Sequence, residues 1–391
     1  MDRAYPGAGL SAGGSEAPAG PSSWPPAARW PEALHRAVGA LTEALRGQAL
    51  PLVALSGGAD SLALAVAAAE TARLRASPVL AGGVGAVIVD HGLQPGSAGV
   101  AQRAATVART LGLDPVTVER VDIHVTGDGP EAEARTARHA ALEAAASRLG
   151  SDAVLLAHTR DDQAEQVLLG LARGSGTRTL AGMPRRRGLL LRPLMDLTRQ
   201  DTESICRWAG LRWWEDPTNA DPAFLRSRIR SRVLPALEEP QHGLGPGLAA
   251  ALARSADIAA EDAAALEDWA GREFDRLWPE GRGEVEAPGT PGLRPSSGPV
   301  SLPMGELAAL PAAIRYRVIG CAVVAAGGER PSRERVLAVD RLVATRSTGG
   351  SSAGPVELAG GVAAHRRSTG GCARLVLGAV RPEGPRLDRA G

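Results

Sequence analysis

The chain has 391 residues, and its 44 basic residues, all arginine, face 43 acidic ones for a formal net charge of +1. With no lysine there is no Walker-A phosphate clamp and no amine for Schiff-base chemistry, which excludes ordinary P-loop NTPases, pyridoxal enzymes and lysine-dependent aldolases. A near-zero balance argues against uniform coating of nucleic acid, and no apolar run approaches the roughly 20 residues of a membrane span.

Residues 1–28 are Gly, Ala, Pro and Ser with hardly a hydrophobic face, and read as a disordered leader. An amphipathic helix is expected over 30–45. Then strands and helices alternate. Strands are expected at 50–55, 84–89, 116–121 and 153–157, and helices at 60–74, 98–111, 131–149 and 161–173. Short apolar strands between amphipathic helices predict an α/β fold, a parallel sheet with helices on both faces. In such sheets ligands bind beyond the carboxyl ends of the strands. A last strand is expected at 189–192 and a helix at 198–209. An arginine-bearing connector follows, with 223–237 as one helix. Helices at 247–270, 304–326 and 332–344 predict a smaller, mainly helical domain. Strands at 356–358 and 375–377 suggest a small β unit. The expected organisation is a leader (1–28), a nucleotide domain (29–215), an Arg-rich connector (216–245), a helical tRNA- or substrate-binding domain (246–345) and a β-like tail (346–391).

The strongest motif is Ser56-Gly57-Gly58-Ala59-Asp60-Ser61, between the first strand and its helix. Two glycines let the backbone turn tightly and approach an anion. Successive N–H groups and the helix N-terminus present partial positive charge to it. Ser56 and Ser61 add hydroxyls. Asp60 would repel phosphate alone, so it makes sense mainly as a ligand for Mg²⁺ bridging phosphate oxygens. The bland alternative is an ordinary capped turn.

This loop resembles the SGGxDS loop of the N-type ATP pyrophosphatases, which split ATP between the α and β phosphates and adenylate a substrate. Further segments narrow the resemblance. They are Val89-Asp90-His91-Gly92-Leu93, Glu131-Ala132-Glu133-Ala134-Arg135, Ala157-His158-Thr159-Arg160-Asp161-Asp162-Gln163-Ala164-Glu165, Arg173-Gly174-Ser175-Gly176, Asp216-Pro217-Thr218-Asn219 and Arg226-Ser227-Arg228-Ile229-Arg230. In this order the set resembles the tRNA(Ile)-lysidine synthase family over residues 47–240, and more weakly to about 345. Ser227 and His139 depart from the family's usual asparagine and tyrosine. The resemblance implies that ATP adenylates the C2 carbonyl oxygen of cytidine 34 of tRNA(Ile). The ε-amine of free L-lysine then displaces AMP.

Under this reading ATP is met by Ser56, Gly57, Gly58, Ala59, Asp60, Ser61, Asp90, His91 and Gly174. The chemistry rests on Asp60, Arg135, His158, Asp161 and Asp162, with ATP and Mg²⁺ as cofactors. Two carboxylates beside an imidazole can hold Mg²⁺ or a lysine amine, or move a proton. Alternatively, acids in a first helical turn answer the helix dipole, and Asp162 caps against Thr159. Arg173, Arg178, Arg226, Arg228 and Arg230 are the expected tRNA contacts, through phosphate rather than base stacking, since aromatics make up 3% of the chain. Trp208, Trp213 and Trp214 could stack a base or belong to the core.

A cytoplasmic location is expected, since the N-terminus carries no signal-peptide pattern. The three cysteines form no CxxC pair, which disfavours cytidine thiolation, the nearest alternative chemistry. A non-catalytic nucleotide- or RNA-binding protein is the alternative of another class. The oligomeric state stays open, a homodimer included.

Overall fold

The computed structural model describes residues 24–74, 83–90, 92, 96–121, 130–174, 176–216, 221, 223–279, 299–344, 355–369 and 372–380. The chain divides into two compact units, residues 1–260 and 261–391. Of the expected motifs, His91, Leu93, Ser175 and Pro217-Thr218-Asn219 lie outside the described residues.

The first unit is built on a six-stranded sheet. Its strands are β1 (Pro51–Ala54), β2 (Gly85–Asp90), β3 (Val116–Arg120), β4 (Ala153–Leu155), β5 (Arg186–Arg187) and β6 (Leu190–Leu191), in the spatial order β3-β2-β1-β4-β6-β5. All neighbours are parallel except β5 and β6. Side chains alternate across the pleat. Val53, Ala86, Ile88 and Leu155 join one core, with α1 (Glu32–Ala44), α2 (Ala59–Arg73), α3 (Ser97–Thr110) and α7 (Arg199–Trp208). Leu52, Val87 and Val154 join the opposite core, with Leu142, Ala145 and Ala146 of α4 (Pro130–Leu149). α2 is rich in Ala and Leu and buried almost all round, as expected of a helix with neighbours on every side.

Strand order reverses between β1 and β4. From β1 the chain steps outward to β2 and β3, then returns through α4 to the other side of β1. This is a topological switch point, where an open α/β sheet leaves a crevice at its carboxyl edge. The loop after β1 and the segment 156–159 after β4 therefore emerge side by side.

Beyond α7, the expected single helix at 223–237 is three joined pieces: α8 (Leu225–Arg228), a π-helical segment Ile229–Val233, and α9 (Leu234–Glu238). Leu234 packs with Ala164 of α5 (Arg160–Ala172) and with Ala249 at the start of α10 (Leu248–Leu277). The expected leader ends sooner than residue 28, because Trp24 is buried and packs on Trp208 with ring centroids 5.2 Å apart.

The second unit, 261–391, has its own core of helices and an antiparallel sheet. β7 (Val300–Pro303), β8 (Val356–Leu358), β9 (Val362–Thr369) and β10 (Cys372–Ala379) lie in the order β7-β10-β9-β8. β7 falls inside the segment expected to be helical. The tail thus shares a sheet and a core with α12 (Ala312–Ala325) and α13 (Arg333–Ala344). The expected helix at 304–326 is divided into α11 (Met304–Ala309) and α12 at Pro311, which lacks the N–H needed to continue the first.

Candidate functional site: a nucleotide loop beside a charge cluster

Gly57 has φ +86, a conformation that disfavours any side chain, and a Cβ there would stand 3.5 Å from Val100 of α3. Gly58 is the N-cap of α2 and offers no side chain to the first turn. The donors a capping side chain would take are left for an outside acceptor. The Ser61 hydroxyl lies 3.1 Å from the Ser56 hydroxyl, accepts from the Ser56 N–H and donates to the Gly58 carbonyl at 3.0 Å. The Gly57 carbonyl accepts from the Trp214 N–H at 3.0 Å. Trp214 thus braces the loop by its backbone, while Trp208 and Trp213 pack against the core.

Asp60 sits in the first turn of α2. The Thr202 hydroxyl stands 2.5 Å from its Oδ1 and 2.8 Å from the Arg199 carbonyl. Burial raises the Asp60 pKa above the usual carboxylate value, a trend only partly offset by the Thr202 contact. Its Oδ2 takes no hydrogen bond among the described residues. A half-buried carboxylate served by one hydroxyl has room for a cation as counter-charge. Among the described residues no group of three His, Cys, Asp or Glu is arranged to hold a metal. Asp60 alone among the described acids beside the loop could lend an oxygen to a cation held mainly by phosphate.

The segment after β4 brings together His158, Asp162 and Glu165. Thr159 and Asp162 form a capping box at the start of α5, so the capping reading holds for Asp162. The same carboxylate does more. Its Oδ1 accepts from Arg226 and Arg230, each at 2.9 Å. Glu165, one turn on and 1% exposed, accepts from the Nε of Arg226 at 2.8 Å and of Arg230 at 2.5 Å. Burial would raise Asp162, but the charges of Arg226 and Arg230 and the hydrogen bond from the Thr159 N–H hold its pKa below the usual range. Two guanidiniums expected to meet tRNA are therefore turned inward onto two buried acids in this structure. Glu165 was not singled out from sequence, although its spacing from Asp162 (i, i+3) puts both on one helix face.

The other expected residues separate. Asp161 accepts from the Arg199 backbone N–H at 2.7 Å and so fastens α7 to α5. Asp90, at the end of β2, accepts from the Gly92 N–H at 3.1 Å. Gly174, with φ +61, follows α5, whose 13 residues set it about 20 Å along the helix from Thr159. Arg173 and Arg178 are exposed, and Arg228 donates to the Ala223 carbonyl at 3.1 Å.

His158 keeps Nδ1 buried with no hydrogen-bond partner among the described residues. Burial, then the charges of Arg192, Arg226 and Arg138, outweigh Asp162 and push its pKa down to about 3, so the imidazole is neutral. Arg135, on α4, is exposed. Its charge and those of Arg138, Arg187 and Arg192 bear on His139, whose pKa burial already lowers.

A glycine anion loop with its acid, at the switch point of a doubly wound sheet, defines an ATP-utilising PP-loop protein, and the PP-loop domain model matches residues 32–237. The chain is 50% identical over 296 residues to the tRNA(Ile)-lysidine synthase of Leifsonia xyli subsp. xyli, covering 76% of this chain and 82% of that one. It is 47% identical over 324 residues to the synthase of the same name from Salinispora tropica, covering 81% and 88%. For that of Thermobifida fusca the figures are 46% over 322 residues, covering 82% and 90%. The chain belongs to the tRNA(Ile)-lysidine synthase family. No helix among the described residues is long and apolar enough to cross a membrane.

Proposed function

We propose that this enzyme joins free L-lysine to C2 of cytidine 34 of tRNA(Ile) at the expense of ATP. The cytidine O2 attacks the α-phosphorus and pyrophosphate leaves. The lysine ε-amine then attacks C2, loses its proton and expels AMP. One observation carries the reading: the Ser56–Ser61 loop and the His158–Asp162–Glu165 group stand at the carboxyl ends of adjacent parallel strands.

Backbone N–H groups of the loop and the start of α2 hold the phosphates. Mg²⁺, when bound at Asp60, supplies positive charge to their oxygens. Asp90 ends β2 on the side given to the adenosine, which leaves the β4 side to the acceptor. There the neutral imidazole of His158 offers hydrogen bonds without adding charge. Lysine arrives as a cation, and the buried Asp162–Glu165 pair attracts one. A lysine ammonium there exchanges with a guanidinium of Arg226 or Arg230. Arg135, Arg173, Arg178 and Arg228 meet tRNA phosphates. In this reading residues 29–215 carry the nucleotide chemistry, 216–245 connect, and 246–345 bind tRNA.

The test uses the full chain with ATP, Mg²⁺, labelled lysine and cytidine-34 tRNA(Ile). Label on tRNA is expected, matched mole for mole by AMP and pyrophosphate. Label that does not require lysine's ε-amine, or tRNA left unlabelled while ATP is consumed, overturns the proposal. Omitting Mg²⁺ is expected to abolish pyrophosphate release.

A further inference from the structure

The switch point divides the carboxyl edge into two halves. The β1 loop serves ATP. Two strands away, at about 10 Å across the sheet, β6 is followed by Arg192. The Leu156 N–H donates to the Leu191 carbonyl at 2.8 Å, which sets Arg192 beside the segment leading to His158.

Arg192 is unusual among the arginines here. It is 3% exposed. Among the described residues its only side-chain hydrogen bond is from one terminal nitrogen to the Pro184 carbonyl, at 2.8 Å. Its Nε is buried with no partner, and no carboxylate pairs with it among the described residues. The charges that bear on it, from Arg135 and Arg187, are of its own sign, and Arg138 acts together with it on His139 and His158. Arg187 is exposed on β5, Arg135 and Arg138 are exposed on α4, and His139 is half-buried between them. Arg138 has no ion pair among the described residues either. Burial, then the charges of Arg135 and Arg187, push the Arg192 pKa down to about 10. Compare Arg226 and Arg230, which are less enclosed, with side chains 24% and 29% exposed, yet are answered by two acids. A desolvated cation among cations is unfavourable unless an anion completes the site.

We propose that Arg192, with Arg138 and Arg187 at its rim, forms a phosphate pocket for the RNA backbone beside the target cytidine. The ligand chemistry is a phosphate group. Its source is the tRNA, because the nucleotide loop lies on the far side of β4. This rests on the proposed reaction only for which half of the edge receives the tRNA. The pocket holds the strand so that the cytidine turns toward the nucleotide.

The test compares full-length wild type with Arg192→Gln and Arg138→Gln, all checked for native melting. Affinity for tRNA(Ile) is measured across salt, and KM for ATP separately. Arg192→Gln is expected to weaken tRNA about tenfold and to lower the slope of log affinity against log salt by about one. Its KM for ATP is expected to stay within about twofold of wild type. Unchanged tRNA affinity and slope overturn the proposal, as does a change confined to ATP. Should Arg192→Gln not fold, the wild type and Arg138→Gln decide with anticodon-loop RNAs carrying one neutral methylphosphonate next to position 34. The neutral linkage is expected to weaken wild type and to cost Arg138→Gln much less. Equal losses in both, or none in wild type, overturn the pocket. A wild type that binds tRNA through this phosphate yet makes no lysidine would sink the reaction and leave the pocket standing.

Discussion

The two halves of the carboxyl edge handle charge by different means. On the β1 side an anion is met by the backbone: φ +86 at Gly57, an uncapped helix start at Gly58, and hydroxyls from Ser56 and Ser61. On the β4–β6 side charge is carried by side chains drawn from α5, α8, the π-helical segment, α4 and the end of β6. The difference teaches that a site made of backbone dipoles can be contiguous in sequence, whereas one made of opposed full charges is assembled from distant segments. Lone buried charges are too costly to be supplied locally.

The comparison can be broken most directly at Asp60, the charged side chain of the backbone half. Asp60→Asn is expected to reduce pyrophosphate release about a thousand-fold while the melting profile stays native. A rate within tenfold of wild type would mean that backbone dipoles suffice without the carboxylate.

The charge-built half is sharpened by Glu165→Gln, which leaves two enclosed guanidiniums short of a partner. A loss of about 3 kcal/mol in urea unfolding is expected, discounted for the partial exposure of both arginines. The double variant Glu165→Gln/Arg230→Gln is expected to recover part of it. A single variant within about 0.5 kcal/mol of wild type would show that the cluster is not held by charge pairing.

The smallest effect concerns His158. Its folded pKa is about 3, below the usual value near 6.5 of an unfolded histidine. Between these values the unfolded chain takes up a proton that the folded one refuses, so stability falls as pH falls. From pH 8 to pH 5 this contributes a loss of up to about 2 kcal/mol. His158→Gln is expected to flatten the stability–pH profile over that interval by this amount. Parallel profiles for the two proteins would mean that the imidazole protonates in place.

The phosphate loop was legible because its whole requirement is local. Two glycines, flanking hydroxyls and an acid follow an apolar strand and open a helix. The parallel sheet was legible for the same kind of reason, from short apolar runs such as 50–55 between amphipathic helices. Asp162 shows the limit. Sequence placed it in a first helical turn and allowed both a cap and a catalytic acid. The structure makes it a cap that also accepts from Arg226 and Arg230, 64 and 68 residues away. Thr202 and Glu165 escaped notice because an isolated threonine or glutamate carries no pattern until its partner is known. β7 escaped because four residues among helices give too short an alternation to read, and its pairing partner, β10, lies some 70 residues on.

By itself the sequence determined the nature of the nucleotide half. Without a lysine in the chain, phosphate must be met by backbone amides, a metal and arginine, and a glycine loop between strand and helix provides the first of these. Which arginines are spent was decided only by tertiary structure. Arg226 and Arg230 are neutralised by buried acids, whereas Arg192 is buried among cations of its own sign. The reason is that a guanidinium's availability depends on what folds against it, and residues 192, 226 and 230 look alike until the sheet, α5 and the π-helical segment are assembled.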